Sequence, residues 1–136
     1  MSAFRLTILT PEREFFEGEA ESLVFPTVDG SYGVLPGHQP EVVILSEGAL
    51  RITIDGKTRE AAASDGFVTI LPESVTVILQ TAEWPEDIDR RRAEEARRAA
   101  EETLRQRQSQ REYALAKSML ARAMVRLRVA KDVVRQ

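Results

Sequence analysis

Hydrophobic and polar residues alternate with a period of two as far as Glu83. Four segments show the pattern: Phe4, Leu6 and Ile8; Leu50, Ile52 and Ile54; Phe67, Thr69 and Leu71; and Val75, Val77 and Leu79. Alternation of this kind predicts half-buried β-strands. Asp55-Gly56 separates two such runs and predicts a tight type I′ hairpin, because both turn positions need positive φ. Many short strands predict an antiparallel β-sandwich or flattened barrel over residues 1–84.

The period changes after Trp84-Pro85, where Ala, Arg, Glu, Leu and Gln become dominant and neither Gly nor Pro recurs. These are good helix formers, and they predict one helix from Asp87 to Arg105 and a second from Gln110 to Val134, with Ser109 as its N-cap. Apolar residues follow at spacings of three to five in the first helix and three or four in the second: Ile88, Ala93, Ala96, Ala100 and Leu104, then Tyr113, Ala116, Leu120, Ala123, Leu127, Ala130 and Val134. Residues 85–136 are therefore expected to form an antiparallel helical hairpin. The many alanines bury little area, so the two helices should be weakly held together.

Charge divides the chain at the same place. Residues 1–84 carry 5 Lys/Arg and 13 Asp/Glu, a balance of -8, and residues 85–136 carry 14 and 9, a balance of +5. The basic part is laced with glutamates and has one aromatic residue, Tyr113, so nucleic-acid binding is not expected. With no cysteine and a single histidine, no metal site or nucleophile–base pair is predicted, and we expect no enzyme activity of the chain by itself. The start of the chain resembles no signal peptide and no segment is apolar enough to span a membrane, so a cytosolic protein is expected.

The stretch GSYGVLPGHQP, residues 30–40, is the most distinctive in the first part. Its glycines permit positive φ and its prolines fix their own φ, so it predicts a shaped, exposed loop. The glycines lack the spacing of a phosphate-binding loop. From composition alone, a purely structural turn remains the alternative to a functional loop, and His38 is expected to be a hydrogen-bonding residue within it.

This stretch resembles the Gly-x-x-Gly-x-Leu-Pro-Gly-His-x-Pro signature of the ε subunit of bacterial and chloroplast F-type ATP synthases. The opening LTILTPEREFFEGEAESLVFPTVDG is similar to the start of the same family. The resemblance implies a non-catalytic rotor subunit of a proton-translocating ATP synthase, peripheral on the cytoplasmic face of the bacterial plasma membrane. It also implies that the sandwich packs on the γ subunit and that one loop rests against the c-ring, through Ser31, Tyr32, Gly33, Val34, Leu35, Pro36, Gly37 and His38.

Within this resemblance, IDRRRA matches the Ile/Leu-Asp-x-x-Arg-Ala motif associated with ATP binding. If the hairpin turns near residue 108, facing residue numbers add to about 217, which places Arg92 level with residue 125, between Arg122 and Arg126. Three converging guanidinium groups suit a triphosphate, which would clamp the two helices together. The resemblance implies that ATP, with or without magnesium, is bound by Glu83, Ile88, Asp89, Arg92, Ala93, Arg122 and Arg126.

One position departs from the family pattern. Strong nucleotide binders in the family carry a further arginine two helical turns after Arg92, where this chain has Ala99. The alternative is therefore the same rotor subunit without nucleotide binding. The remaining arginines of the first helix are expected to form a solvated face of i,i+4 pairs: Arg90, Arg91, Arg97 and Arg98, with Glu94, Glu95, Glu101 and Glu102.

The resemblance implies a second use for the basic hairpin. In the family the helices leave the sandwich, extend along γ into the α/β hexamer and block rotation in the hydrolysis direction. The β-subunit contacts expected from it are Arg122, Arg126, Arg128, Lys131 and Arg135. Because the ATP site needs both helices side by side, bound ATP should favour the compact, non-inhibitory state.

Overall fold

Two five-stranded sheets make up the first unit of the chain, Met1–Glu83. The computed structural model describes residues 2–106 and 110–134. In chain order the strands are β1 (Phe4–Leu9), β2 (Glu14–Ala20), β3 (Ser22–Thr27), β4 (Gly30–Val34), β5 (Glu41–Leu45), β6 (Gly48–Ile54), β7 (Lys57–Ala63), β8 (Gly66–Ile70), β9 (Ser74–Leu79) and β10 (Ala82–Glu83). The first sheet has the order β2-β1-β9-β8-β5 and the second has the order β10-β7-β6-β3-β4. The predicted β-sandwich is confirmed, and its sheets are antiparallel except where β1 runs parallel to β9.

The core lies between the two sheets and is filled by alternate residues of each strand. Leu6 and Ile8 from β1 and Leu50 and Ile52 from β6 are fully buried, as the period of two predicts. The prediction for β8 has the wrong phase, because its buried residues include Val68 and Ile70 rather than the alternate set. Phe67 and Leu71 are exposed and Thr69 is half-buried. Both sets of alternate positions in this strand hold apolar residues, so the pattern alone did not identify the inner face.

The Asp55-Gly56 hairpin joins β6 to β7 as predicted. Asp55 has φ 50° and Gly56 has φ 75°, the positive values that a type I′ turn requires. Ile54 pairs with Lys57 across the turn. A two-residue turn of this type fixes the register of the two strands.

The second unit, Trp84–Gln136, holds a short 3-10 helix (Pro85–Asp87) and two α-helices, α1 (Arg90–Gln106) and α2 (Gln110–Val134). The bounds of α2 agree with the sequence prediction, whereas α1 begins at Arg90, three residues later than predicted. The cause is Asp89, whose Oδ1 accepts the backbone N–H of Arg92 at 3.1 Å and whose carbonyl accepts that of Ala93 at 3.0 Å. Asp89 is therefore the N-cap of α1. The predicted cap Ser109 lies outside the described residues.

Alanines are most of the buried residues of α1 and α2 in the described part of the hairpin. The buried ones are Ala93, Ala100, Ala116, Ala123 and Ala130. Ala96, Leu104, Leu120 and Leu127 are half-buried, and Val129 is buried although it was not predicted. The side chains of Tyr113 and Val134 lie outside the described part of the chain.

A groove of about 150 Å³ between the helices reports their register. Its walls are Ala99, Ala100 and Thr103 from α1 and Leu115, Ala116 and Met119 from α2. Residue numbers across the groove therefore add to about 217, as expected for a hairpin that turns near residue 108.

Candidate functional site

The loop between β4 and β5 begins with a tight turn, Leu35–His38. His38 donates its backbone N–H to the carbonyl of Leu35 at 3.2 Å, and Gly37 has φ 83°. Proline at the second position and glycine with positive φ at the third are the signature of a type II turn. Gly37 also donates its N–H to the carbonyl of Pro72 at 2.9 Å, which ties the turn to the connection between β8 and β9. The turn presents Leu35, 63% exposed, to solvent.

A side-chain cluster fastens this turn from both sheets. Tyr32 from β4 donates its hydroxyl to the carboxylate of Glu41 from β5, and the same oxygen lies 3.1 Å from Nε2 of His38. The Tyr32 ring stacks on Phe25 with ring centres 5.4 Å apart. The carboxylate of Glu41 stabilises the protonated phenol and so raises the pKa of Tyr32. The predicted role of His38 as a hydrogen-bonding loop residue agrees with these contacts, since its Nδ1 also lies 2.8 Å from the carbonyl of Gln39.

The other predicted loop residues belong to β4 and to the turn. Ser31, Gly33 and Gly37 are exposed, Pro36 is half-buried and Val34 is buried in the sandwich core. Among the predicted docking residues, Val34 is thus a core residue that anchors the start of the loop, whereas the Leu35 side chain is exposed and can contact a partner.

The outer face of the first sheet carries an apolar surface that the strand pattern did not single out. Ile44 of β5 pairs with Phe67 of β8, Phe67 pairs with Ile78 of β9, and Ile78 pairs with Leu9 of β1. One row of apolar side chains therefore crosses four strands. Its exposed members are Ile44 at 74%, Phe67 at 43% and Ile78 at 39%.

Two further apolar residues extend this row. Val42 of β5 is 66% exposed, and Leu71, just beyond β8, is 48% exposed. We call Val42, Ile44, Phe67, Leu71 and Ile78 together the apolar face. Contiguous apolar surface of this kind marks an interaction site more often than the single apolar residues scattered over ordinary surfaces. The sequence signal for it is apolar residues at both sets of alternate positions in VVIL and FVTIL, which is typical of strands covered on both sides.

Acidic residues occupy the opposite edge of the same sheet. Leu9 pairs with Glu14 of β2, and Thr7 pairs with Glu17. Glu17 accepts a hydrogen bond from Arg5, and the carboxyl group of Glu14 is its second hydrogen-bonding neighbour. Hydrogen bonding with Glu14 is the main cause that lowers the pKa of Glu17, and the hydrogen bond from Arg5 is the next. The same interaction with Glu17 raises the pKa of Glu14. The outer surface of the first sheet is thus apolar at β5 and charged at β2.

The predicted nucleotide residues occupy different environments. Arg92 and Asp89 are exposed at the start of α1, whereas Ile88 and Ala93 are buried. On α2, Arg122 is exposed and Arg126 is half-buried. Glu83 lies in the sandwich unit, where it belongs to β10 and pairs with Ala62. The convergence of Arg92, Arg122 and Arg126 stays a prediction, which starts from the same sum of facing residue numbers, about 217, that the groove shows further along the hairpin.

The remaining arginines of α1 mostly form the salt bridges that the sequence predicts. Arg91 pairs with Glu95 at 3.4 Å and Arg98 with Glu94 at 3.5 Å. Arg97 bridges Glu94 and Glu101, and its hydrogen bond to Glu94 is the main cause of the lowered pKa of that carboxyl group. These arginines and glutamates all belong to α1, and their opposite charges neutralise one another. The basic residues expected to contact β subunits include Arg128 and Lys131, which are exposed, and Arg135, which lies outside the described residues.

The chain is a two-unit protein, a β-sandwich followed in sequence by a helical hairpin, and the sandwich carries an apolar outer face and an exposed Pro-Gly turn. Two family models match it: "ATP synthase, Delta/Epsilon chain, beta-sandwich domain" over residues 3–85 and "ATP synthase, Delta/Epsilon chain, long alpha-helix domain" over residues 86–131. The chain belongs to the ATP synthase delta/epsilon chain family.

Curated relatives match it over nearly its whole length. The ATP synthase epsilon chain of Ruminiclostridium cellulolyticum is 49% identical over 127 residues, which cover 93% of this chain and 95% of that protein. The epsilon chain of Caldanaerobacter subterraneus is 42% identical and covers 93% of each. These relatives are non-catalytic subunits of the ATP synthase complex, so the expectation of no catalytic site agrees with the family.

Solved structures share the fold. A chain in the cryo-EM structure of the Euglena gracilis mitochondrial ATP synthase has a TM-score of 0.81 and 19% identity, and the match covers 100% of this chain and 83% of that one. A chain in the central stalk/c-ring structure of the Tetrahymena thermophila mitochondrial ATP synthase has a TM-score of 0.69 and 13% identity, and the match covers 93% of this chain and 96% of that one. Within the described residues, neither helix is both long and apolar enough to cross a membrane.

Proposed function

We propose that the chain is a rotor subunit in the central stalk of a proton-translocating ATP synthase, peripheral on the cytoplasmic face of the bacterial plasma membrane. In this role it joins the catalytic head to the c-ring. The observation that carries the proposal is the apolar face of the first sheet, which otherwise remains in contact with water. A subunit that transmits torque needs two attachment surfaces, and the sandwich offers this face and the turn at Leu35. Family membership supports the same role.

The γ subunit is the partner proposed for the apolar face. Full burial of an Ile side chain contributes about 1.5–3 kcal/mol. Ile44 is 74% exposed, so covering it contributes about 1–2 kcal/mol on the same scale. Phe67 and Ile78 lie beside Ile44 in one row, and together they provide the centre of an interface.

Binding to purified γ tests this surface. We expect Ile44→Ala to raise the Kd by about 5–30-fold, the equivalent of about 1–2 kcal/mol. Val28→Ala is the matched control, because Val28 is 88% exposed but lies in the turn between β3 and β4, in the other sheet. Equal Kd values for both variants would rule out the apolar face as the γ contact.

The turn Leu35–His38 is proposed to contact the c-ring. Its two backbone hydrogen bonds and the cluster beneath it hold the turn in place, and Leu35 is 63% exposed there. In the assembled enzyme, Leu35→Asp should reduce ATP-driven proton pumping more than it reduces hydrolysis, because a charged tip weakens the contact that transmits rotation. A parallel loss of both activities, or of neither, contradicts this assignment.

ATP is proposed as a regulatory ligand of the hairpin. The proposal is supported by the register at the groove, where facing residue numbers add to about 217 as in the prediction that sets Arg92 level with Arg122 and Arg126. Guanidinium groups are the side chains best suited to bind phosphate oxygens at two points. Asp89 and Arg92 are exposed at this end of α1 and can contact a ligand. ATP held between the helices stabilises the compact hairpin by its differential affinity for that state.

Calorimetric titration with ATP, in the presence and absence of magnesium, distinguishes a rotor subunit that binds ATP from one without nucleotide binding. We expect Arg92→Ala and Arg126→Ala each to weaken binding by about 10–100-fold, as for loss of a charged hydrogen bond worth about 1.5–3 kcal/mol. Arg91→Ala is the control, since Arg91 lies in the same turn and pairs with Glu95. No binding by the native chain at millimolar ATP would leave the alternative, a rotor subunit without nucleotide binding, for which the replacement by Ala99 supplies the reason.

Inhibition of ATP hydrolysis is proposed for the opened hairpin, through its basic residues and acidic segments of the β subunits in the α/β hexamer. Alanine-rich packing supports this proposal, because alanine side chains bury little apolar area and the free energy needed to separate the helices is therefore small. Hydrolysis by the assembled enzyme should rise when residues 85–136 are deleted. Unchanged hydrolysis, with the truncated subunit still present in the complex, would exclude an inhibitory hairpin.

A further inference from the structure

A methionine side chain forms part of one wall of the groove between α1 and α2. Met119 and its neighbour Leu115, one helical turn earlier, line the α2 side of this groove. The α1 side is lined by Ala99, Ala100 and Thr103. Met119 is 44% exposed, so part of its side chain contacts the groove and part of it is in water. Alanine buries little area, and the larger Met119 side chain therefore supplies a considerable share of the apolar contact at this level of the hairpin.

The side chains that line the groove offer no hydrogen-bond donor to a polar group. The hydroxyl of Thr103 donates to the carbonyl oxygen of Ala99 at 3.1 Å, within α1. The other walls are alanine, leucine and methionine side chains, which carry no N–H or O–H. A polar group introduced on Met119 would therefore leave the groove for water, because an unpaired polar group against apolar walls is unfavourable.

We propose that Met119 is an oxidation site at which hydrogen peroxide loosens the helical hairpin. The thioether sulfur attacks one oxygen of the peroxide, so that an S–O bond forms while the O–O bond breaks. Sulfur is oxidised to the sulfoxide, and the peroxide is reduced, its second oxygen leaving with both protons as water. The reaction turns a flexible apolar side chain into a polar one, and methionine sulfoxide reductases reverse it.

The consequence follows from the position of Met119 between the helices. An oxidised side chain turns toward water and gives up its contact with α1. The lost contact is about half of one methionine side chain, which shifts the opening equilibrium of the hairpin about fivefold on the usual scale of apolar burial. This effect is a property of the chain alone, needs neither nucleotide nor partner, and goes beyond the proposed function.

Met124 provides a matched comparison on the same helix. It is 51% exposed, close to the value for Met119, so peroxide should reach both side chains. Five residues of about 100° each place Met124 about 140° around α2 from Met119, and Met124 is not among the walls of the groove. Oxidation of Met124 should therefore leave the contact at the groove intact.

Hydrogen exchange of the Ala100 amide, measured by NMR on the full-length chain before and after peroxide treatment, tests the proposal. Ala100 is buried in α1 at the groove, so its amide reports on the contact and not on the helix propensity of α2. We expect its exchange to become about fivefold faster and to recover after treatment with sulfoxide reductases. The amides of Leu6 and Val77 in the sandwich should not change. Peptide mass spectrometry gives the extent of oxidation at each methionine.

Two pairs of variants assign the effect to one sulfur. Met119→Leu and Met124→Leu keep an apolar side chain of similar volume; after peroxide treatment the Met124 variant should loosen as the native chain does, and the Met119 variant should not. Met119→Gln should loosen the hairpin without peroxide, whereas Met124→Gln should not. Unchanged Ala100 exchange in a native chain with oxidised Met119 would overturn the proposal, as would equal loosening of Met119→Leu and the native chain. Oxidation of Met124 under conditions that leave Met119 intact would overturn it as well, because the site would then be inaccessible.

Discussion

Replacement of Asp89 separates its structural role from a role in nucleotide binding. In the structure, Oδ1 of Asp89 accepts the N–H of Arg92 at 3.1 Å, and this bond caps α1. Three arginines follow at the positive end of the helix, Arg90, Arg91 and Arg92, where cations are unfavourable. Asp89→Ala removes both the cap and the negative charge, whereas Asp89→Asn keeps a capping oxygen and removes only the charge.

The expected magnitudes differ accordingly. Loss of an N-cap costs about 1 kcal/mol, and loss of an anion from the first turn costs about 0.3–1 kcal/mol at low salt. Asp89→Ala should therefore destabilise α1 by about 1–2 kcal/mol, and Asp89→Asn by less than about 1 kcal/mol. High salt screens the charge but leaves the cap, so it should reduce the effect of the Asn variant more than that of the Ala variant.

Amide hydrogen exchange measured by NMR gives the opening free energy of α1. The amides of Ala93 and Ala100 report on the helix, and those of Leu6 and Val77 report on the sandwich as an internal control. If both variants protect the α1 amides as well as the native chain does, Asp89 is not a cap and the reasoning is refuted. If Asp89→Asn leaves α1 intact but weakens ATP binding, its carboxylate contacts the nucleotide as well.

Three further changes test the packing and charge of the two units. Gly66→Ala should destabilise the sandwich by about 3 kcal/mol or more in urea unfolding, because the new Cβ would lie 2.1 Å from the carbonyl oxygen of Ile78. Gly33→Ala, whose Cβ has open space, should change it little; equal effects would contradict the packing argument. Leu50→Ala, at a fully buried position, should cost about 2–5 kcal/mol in the same assay, and a loss below 1 kcal/mol would show that the core collapses around it. Arg97 lowers the pKa of Glu94, so this carboxyl group stabilises the hairpin above its unfolded pKa near 4.3, and the stabilisation disappears as pH falls through the lowered value. Helicity followed by circular dichroism should therefore fall less on acidification in Glu94→Gln than in the native chain, and identical acid transitions would exclude the effect.

Sequence patterns predicted which segments form strands and helices better than they predicted which side of each segment is buried. Periods of two and of three to four residues identified strands and helices, because these periods follow from local backbone geometry. They gave the wrong inner face for β8, since Phe67 and Val68 are both apolar and only the second sheet decides which one is buried. The start of α1 was missed for a local reason, because Asp87 and Asp89 are both plausible caps and Pro85 favours a separate 3-10 turn.

The candidate sites show the same division. The turn residues of the loop follow from Pro36 and Gly37 and were predicted. The cluster beneath them was not, because Glu41 reaches Tyr32 from a strand of the other sheet. The apolar face likewise depends on the register of Ile44, Phe67 and Ile78, which lie on three different strands.

The parallel pairing of β1 with β9 has a consequence for synthesis of the chain. Arg5 is level with Ser74 in this pair, so β1 gains its second neighbour only after roughly seventy more residues have been translated, which takes about 4–14 s at 5–20 residues per second. During that time one edge of β1 is unpaired and open to other chains. The helices that follow contact each other locally and form in microseconds once released. The ribosome thus completes the slow unit first, and a pause before Leu79 prolongs the interval in which the nascent chain is most prone to aggregate.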